Sequence, residues 1–153
     1  MHFPAPPRAP GAGGRPKRHG NEFTFKDPRT WPEPAHTTTT QTSRYGTAVA
    51  RSFDRLHPRW THRGVWADHD GDVPILEGTV IRLQVDHLPG DGEPKPLWLW
   101  FSGTGATATK IDSLWQMFLR RFDLEHTFRF LKQPWAGRSP ASAPPRRPID
   151  SPG

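Results

Sequence analysis

The chain contains no cysteine, and this absence excludes disulfide frameworks, thiolate metal sites and cysteine nucleophiles. Long apolar runs are also lacking. The first twenty residues hold no seven-residue apolar stretch, which argues against a secretory signal at this end. No span approaches the roughly 20 apolar residues of a transmembrane helix. We therefore expect no membrane association and a cytoplasmic location.

Proline is scarce in the middle of the chain and abundant at its ends. Of 19 prolines in 153 residues, eight lie at or before Pro34 and six lie at or after Pro134. Segments this rich in proline and glycine seldom bury enough apolar surface to fold. We therefore predict an extended Pro/Gly/basic segment at 1–20, one folded domain at 21–133 and a disordered tail at 134–153.

Acidic residues are outnumbered, since 21 Lys and Arg face 15 Asp and Glu, for a net charge of +6 and a pI near 10.5. This balance favours an anionic partner such as nucleic acid. Basic tails that serve only solubility would give the same values. Charge alone therefore leaves both interpretations open.

Alternating and β-branched stretches predict the strands of the folded part. The stretch "NEFTFKDP" indicates a short strand ending at Asp27, and Thr37–Thr42 is β-branched, whereas Thr47–Leu56 suits either a strand or a surface helix. Thr79–His87 alternates in near period two, which predicts a half-buried strand. The apolar run Leu97–Ser102 predicts a strand buried on both faces, paired with its predecessor across the loop "PGDGEPKP".

One long helix is predicted from Thr109 to about Gln133, and Thr109 and Asp112 have the spacing of a capping box. At about 100° per residue, one stripe of this helix carries Glu125 with an aromatic residue and three cations. These four residues are Phe118, Arg121, Arg129 and Lys132. Apolar residues fall on the same side, so the charges lie where the helix is expected to face the core.

Two explanations fit a charged stripe on the apolar side of a helix. In the first, Arg121 and Glu125 form an ordinary i,i+4 pair and Lys132 reaches solvent at the helix end. In the second, the stripe opens onto a functional site, because a buried charge is costly unless it is paired or bound to metal. There the carboxylate would suit Mg²⁺ and the cations would suit phosphate oxygens.

The spacing F-x2-R-x3-E-x6-K, from Phe118 to Lys132, resembles the Y-x2-R-x3-E-x6-K signature of bacterial insertion-sequence transposases with a DDE active site. The segments "LRRFDLEHTFRFLKQ", "HDGDVPILEGTVIRLQV" and "KPLWLWFSGT" are similar to a group of such transposases from high-GC actinobacteria. The resemblance runs from about residue 4 to Gln133. Phe118 departs from the tyrosine of the signature, so stacking on a base or sugar remains while the hydroxyl is lost.

This resemblance implies an α/β fold, specifically a partial ribonuclease-H-like fold in which a β-rich segment precedes the long helix that carries the catalytic glutamate. Glu125 would be the third acid and a ligand of Mg²⁺, acting with two aspartates from earlier strands. Arg121, Arg129, Lys132 and Phe118 would hold the DNA of a transposon end. The intact family catalyses metal-dependent phosphoryl transfer in DNA transposition.

The two aspartates should precede the β-rich segment, and we find no candidates for them in this chain. The stretch "DHDGD" is interpreted as a turn, because it lacks the full ligand pattern of a calcium loop. The eight histidines are scattered and show no paired metal-ligand spacing. We therefore expect a truncated DDE transposase that binds Mg²⁺ poorly and does not catalyse alone. A non-catalytic basic DNA-binding remnant and an unstable relic are the alternatives.

The tail "PWAGRSPASAPPRRPIDSPG" breaks sharply from the composition of the helix before it. In the transposases that the chain resembles, "LKQ" is followed by T-L-G-W. The codons of residues 134–137, regrouped with one extra base in front, can encode Thr, Leu, Gly and Trp. We hypothesise that one base was lost after Gln133 and that the tail is an out-of-frame translation.

Overall fold

The computed structural model describes the backbone of residues 1–89 and 93–131, and the side chains of these residues as far as Asp123. Met1–Leu119 forms one compact unit and Arg120–Gly153 forms a second. The predicted tail at 134–153, Lys132 and part of the loop before the last strand lie outside the described residues.

Two antiparallel sheets and one helix make up the described part of the chain, which confirms the prediction of a mixed α/β fold. A small sheet pairs β1 (His2–Pro4) with β2 (His19–Glu22). A large sheet has the strand order β3-β4-β5-β6. Its strands are β3 (His36–Thr42), β4 (Gly46–Leu56), β5 (Gly78–Val85) and β6 (Leu97–Phe101).

Helix α1 is Ala108–Leu131 and follows the last strand of the large sheet. The predicted helix from Thr109 therefore forms, starting one residue earlier. Its first turn is capped by Thr107, whose Oγ1 accepts a hydrogen bond from the backbone N–H of Lys110 at 3.3 Å. The predicted capping box of Thr109 and Asp112 is wrong, because the Asp112 carboxylate binds the sheet instead.

The large sheet has apolar side chains on both faces, so it separates two cores. On one face, Ala50 and Leu83 are cross-strand partners and pack with Ile111 and Trp115 of α1. On the other face, a cluster forms around Phe23 with buried residues from β4 and β5, and Trp31 covers it. Because residues in a strand alternate between faces, each of β4 and β5 contributes to both cores.

The predicted strands of the large sheet form, and the prediction for the last of them needs a correction. Thr37–Thr42 and Thr79–His87 correspond to β3 and β5, and the ambiguous segment Thr47–Leu56 is a strand, β4. The run Leu97–Ser102 pairs with β5 as predicted, yet it is an edge strand whose Trp100 is 45% exposed. It is therefore not buried on both faces.

The predicted strand ending at Asp27 is wrong. Phe23 is buried, but the chain turns directly after it, because Asp27 accepts a hydrogen bond from the N–H of Arg29 and starts a 3-10 turn at Pro28–Thr30. The hydroxyl of Thr30 also binds back to this turn. A polar turn thus replaces the continuation of a strand.

The first residues of the N-terminal segment, which was predicted to be extended, pack into the folded unit. Met1 and Phe3 pack against the Phe23 cluster, and the N–H of Phe23 donates to the carbonyl of Met1 at 2.8 Å. Arg18 forms an ion pair with Asp72 at 2.8 Å. The expectation that 1–20 cannot bury surface is therefore wrong at its first residues, where the small sheet forms.

Candidate nucleic-acid interface

Helix α1 includes the positions of Phe118, Arg121, Glu125 and Arg129. Phe118 belongs to the first unit and is 38% exposed. Arg121 lies in the second unit and is exposed. The side chains of Glu125 and Arg129, and all of Lys132, fall outside the described residues, so their place on one face stays a prediction.

The face of α1 that packs on the sheet overlaps the apolar side that the sequence predicted, since Ile111 belongs to both. Ile111 and Trp115 are buried against the sheet and Leu119 packs beside them. Phe118 instead lines an open groove beside β6, together with Leu99 and Leu114. By the regular repeat of an α-helix, positions 121 and 125 continue the stripe of Phe118.

A polar contact anchors the first turns of α1 to strand β3. The Asp112 carboxylate accepts hydrogen bonds from the Thr38 hydroxyl at 2.6 Å and from the indole N–H of Trp115 at 2.9 Å. Since Trp115 is almost fully buried, this carboxylate is the acceptor that satisfies its N–H. The contact fixes the helix against the edge of the sheet before the signature residues begin.

The opposite face of the large sheet carries two arginines side by side. Arg51 of β4 and Arg82 of β5 are direct cross-strand partners. Arg51 is exposed and Arg82 is half-buried. Neither makes an ion pair with an acidic side chain among the described residues. The sheet therefore presents two positive charges, unneutralised within the described part of the chain, on a face away from α1.

Aromatic side chains support one of these two cations. The guanidinium carbon of Arg82 lies 5.4 Å from the centre of the Trp31 ring and 6.0 Å from that of Trp98, within reach of cation–π attraction. Its Nη1 donates to Gln84 Oε1 at 3.1 Å. Partial burial, followed by repulsion from Arg51, lowers the pKa of Arg82 from its ordinary value. Arg82 is thus held in place by rings and an amide, and no described acidic side chain pairs with it.

Three histidines distant in sequence come together at the small sheet. His19 Nδ1 lies 2.8 Å from His57 Nε2, and the ring of His2 lies 5.3 Å from that of His19. His57 is fully buried, and the Nδ1 atoms of His2 and His57 have no hydrogen-bond partner among the residues that the structure describes. Burial first, and then repulsion from the neighbouring histidines, lowers the pKa of His57. Its neutral form is therefore favoured in the fold.

This cluster corrects the impression that the histidines are scattered. His2, His19 and His57 meet because β1 bridges to the chain just after β4 through His2 and His57. Even so, no group of three His, Asp or Glu side chains has metal-ligand geometry in the part of the chain that is described. The cluster is best understood as a packing contact between the small sheet and the end of β4.

The acidic turn "DHDGD" also has a structural role. Asp72 is paired with Arg18 at 2.8 Å and lies 3.8 Å from Arg15. Arg18 also donates a hydrogen bond to the carbonyl of Val73. The interpretation of this stretch as a turn fits the bends found there. Two of the basic residues in the N-terminal segment are therefore engaged with this turn.

Sequence reasoning missed the arginine pair and the histidine cluster. Arg82 falls within the predicted alternating strand Thr79–His87, but its neighbour in β4 depends on the pairing register. That register is set by the turn at Gly46 between β3 and β4 and by the long connection from β4 to β5. No local signal in the sequence identifies residue 51 as the partner of residue 82.

Comparison of the chain with protein-family models, curated proteins and solved structures found no match in any of the three. Among the described residues, no helix combines the length and apolar character needed to span a bilayer.

Proposed function

We propose that this chain is the glutamate-bearing, C-terminal part of a bacterial insertion-sequence DDE transposase, with a partial ribonuclease-H-like fold and DNA as its partner. One observation carries the proposal: Phe118, Arg121, Glu125 and Lys132 have the signature spacing, and the first three fall within one continuous helix. Strands β3 to β6 precede that helix, which is the order of elements that the resemblance implies.

The charge of the chain supports DNA as the partner. The net charge is +6, and three cations of the signature region, Arg121, Arg129 and Lys132, would contact phosphates at a transposon end. Phe118 is partly exposed and would stack against a base or a sugar. Phe118 lies in the same compact unit as Asp112, which anchors the first turns of α1 to strand β3.

Mg²⁺ supplies Lewis acidity in the family's attack on DNA phosphate, and Glu125 is the residue of this chain that would help to hold it. The acids present do not fit a two-metal site on their own. Such a site needs several carboxylates, and the described residues contain no group of three acidic or histidine ligands. Glu125 would therefore complete a site whose two aspartates come from a different segment.

A strand-cleavage assay tests whether Glu125 needs two aspartates from a different segment for catalysis. Purified chain is incubated with supercoiled plasmid and Mg²⁺ or Mn²⁺, beside a Glu125→Gln variant prepared in the same way. We expect no nicking from either protein, because one carboxylate cannot assemble the site. Metal-dependent nicking that disappears in Glu125→Gln would show that the chain forms a complete site, and the proposal of a glutamate-bearing part would be wrong.

A second candidate function is DNA binding without metal chemistry. The observation that favours it is the pair Arg51 and Arg82, which has no acidic partner among the described residues and lies away from α1. DNA binding that falls with salt but does not respond to Mg²⁺ would favour this candidate. Binding that strengthens with Mg²⁺, and does so only when Glu125 is intact, would favour the transposase.

A further inference from the structure

A row of side chains crosses all four strands of the large sheet on the face that points away from Ile111 and Trp115. The row runs from Thr37 through Arg51 and Arg82 to Trp98, each residue being the direct cross-strand partner of the next. Exposed polar residues continue the same face beside the row, namely Thr39, Gln41 and Gln84. This face, defined by these seven residues, is called the arginine face below.

The central pair of the arginine face works against the stability of the sheet. Like charges placed directly opposite each other on neighbouring strands repel, because opposed side chains lie only about 5 Å apart at Cβ. Arg82 has a packing role, since it lies over Trp31 and Trp98. Arg51 is exposed and makes no such contact. A packing role therefore explains Arg82 but leaves Arg51 without one.

An anionic partner bound to both arginines would offset the repulsion between them. Arginine presents a planar fork of donors that matches phosphate oxygens, and the rings behind Arg82 hold its guanidinium in a defined position. Threonine hydroxyls and glutamine amides are the other side chains that commonly bind phosphate and sugar. Duplex DNA carries one charge per roughly 1.7 Å of its axis, so it can neutralise two neighbouring cations at once.

We propose that the arginine face binds the phosphodiester backbone of duplex DNA, with Arg51 and Arg82 as its central contacts. The inference shares its partner with the proposed function but concerns a surface separate from the Phe118 and Arg121 stripe of α1. The contact is to the backbone, so it is independent of base sequence. It would hold DNA on the sheet whether or not a catalytic site is completed.

The test measures the affinity of the full chain for a fluorescent duplex of arbitrary sequence over a series of salt concentrations. The variants are Arg51→Gln, Arg82→Gln and the double variant. Arg55→Gln is the matched control, because Arg55 lies on the same strand as Arg51 and loses the same charge but is paired with Glu77 at 2.9 Å. Circular dichroism and thermal unfolding are the controls that each variant is folded.

Each single substitution on the arginine face is expected to lower the slope of log K against log salt by about 1, and the double variant by about 2. Arg55→Gln is expected to leave the slope unchanged. Arg51→Gln is also expected to unfold at the same or a higher temperature than the parent chain, because a like-charge contact is removed. A residue with only a structural role would instead lower the unfolding temperature.

The inference is overturned if the double variant binds duplex DNA with the slope of the parent, if the parent does not bind duplex DNA, or if it prefers duplex RNA. Loss of binding in Arg121→Gln alone, with the arginine face unaffected, would also overturn it. Failure of the parent chain to bind duplex DNA would also contradict DNA as the partner in the proposed function. The other results leave the proposed function open, because the cleavage assay and the gene sequence do not depend on Arg51 or Arg82.

Discussion

Replacing Asp112 tests how helix α1 is fixed to the sheet. Its Oδ1 accepts from the Thr38 hydroxyl at 2.6 Å and from the Trp115 indole at 2.9 Å. A hydrogen bond to a charged acceptor contributes about 1.5–3 kcal/mol, and a buried donor left without a partner costs about 1–3 kcal/mol. Since the site is partly buried, Asp112→Ala is expected to lower the free energy of unfolding by about 3 kcal/mol.

The substitution Asp112→Asn separates the effect of the hydrogen-bond acceptor from that of the negative charge. Asp112→Asn keeps an oxygen at the position of Oδ1, so both donors retain an acceptor and the expected loss is only about 1 kcal/mol. Asp70→Ala removes an acid from an exposed turn and is expected to change stability by less than about 0.5 kcal/mol.

Thermal unfolding followed by circular dichroism at 222 nm measures these differences, and a loss of about 3 kcal/mol corresponds to roughly 10 °C in a chain of this size. Unfolding of Asp112→Ala at the parent temperature would refute the anchoring role. Equal losses for Asp112→Ala and Asp112→Asn would show that the charge, and not the hydrogen-bond geometry, stabilises the helix.

Two further predictions concern pH and backbone conformation. Burial lowers the pKa of His57 and of His19 from the ordinary 6.5. On acidification the unfolded chain therefore takes up protons that the folded chain does not. The free energy of unfolding is expected to be at its full value above pH 6.5 and to fall as the pH drops through that value. Urea unfolding at several pH values checks this, and a stability that rises on acidification would contradict it. Gly46→Ala is expected to destabilise by at least about 1–2 kcal/mol, since φ is +68° and a Cβ would lie 2.9 Å from Asp86. Gly105→Ala shares the positive φ but meets open space, so chemical denaturation should show a smaller loss.

Local sequence pattern predicted β3, β5, β6 and the helix, but left β4 open between a strand and a helix. The alternation in Thr79–His87 predicted a half-buried strand, but the first half of β5 is buried on both faces and only its second half alternates between buried and more exposed residues. The helix forms from Ala108 because no glycine or proline interrupts it. The strand expected to end at Asp27 failed because turn chemistry at Asp27 and Pro28 overrode a short alternating pattern.

The arginine pair and the histidine cluster could not be predicted in the same way, because their residues meet only through tertiary structure. The partnership of Arg51 with Arg82 depends on strand register, and the meeting of His2, His19 and His57 depends on how the N-terminal strand docks. Residues at helical spacing, such as Phe118 and Glu125, can be proposed as neighbours from sequence alone. Residues that a sheet brings together cannot be found without the pairing.

The nucleotide sequence of the gene tests the central claim most directly. If the chain is the glutamate-bearing part of a DDE transposase, the DNA upstream of the Met1 codon should carry a frame that encodes two strand-borne aspartates. Insertion of one base after the Gln133 codon should also restore a Thr-Leu-Gly-Trp continuation. Upstream DNA that encodes no such aspartates in any frame, together with no such continuation, would contradict the claim.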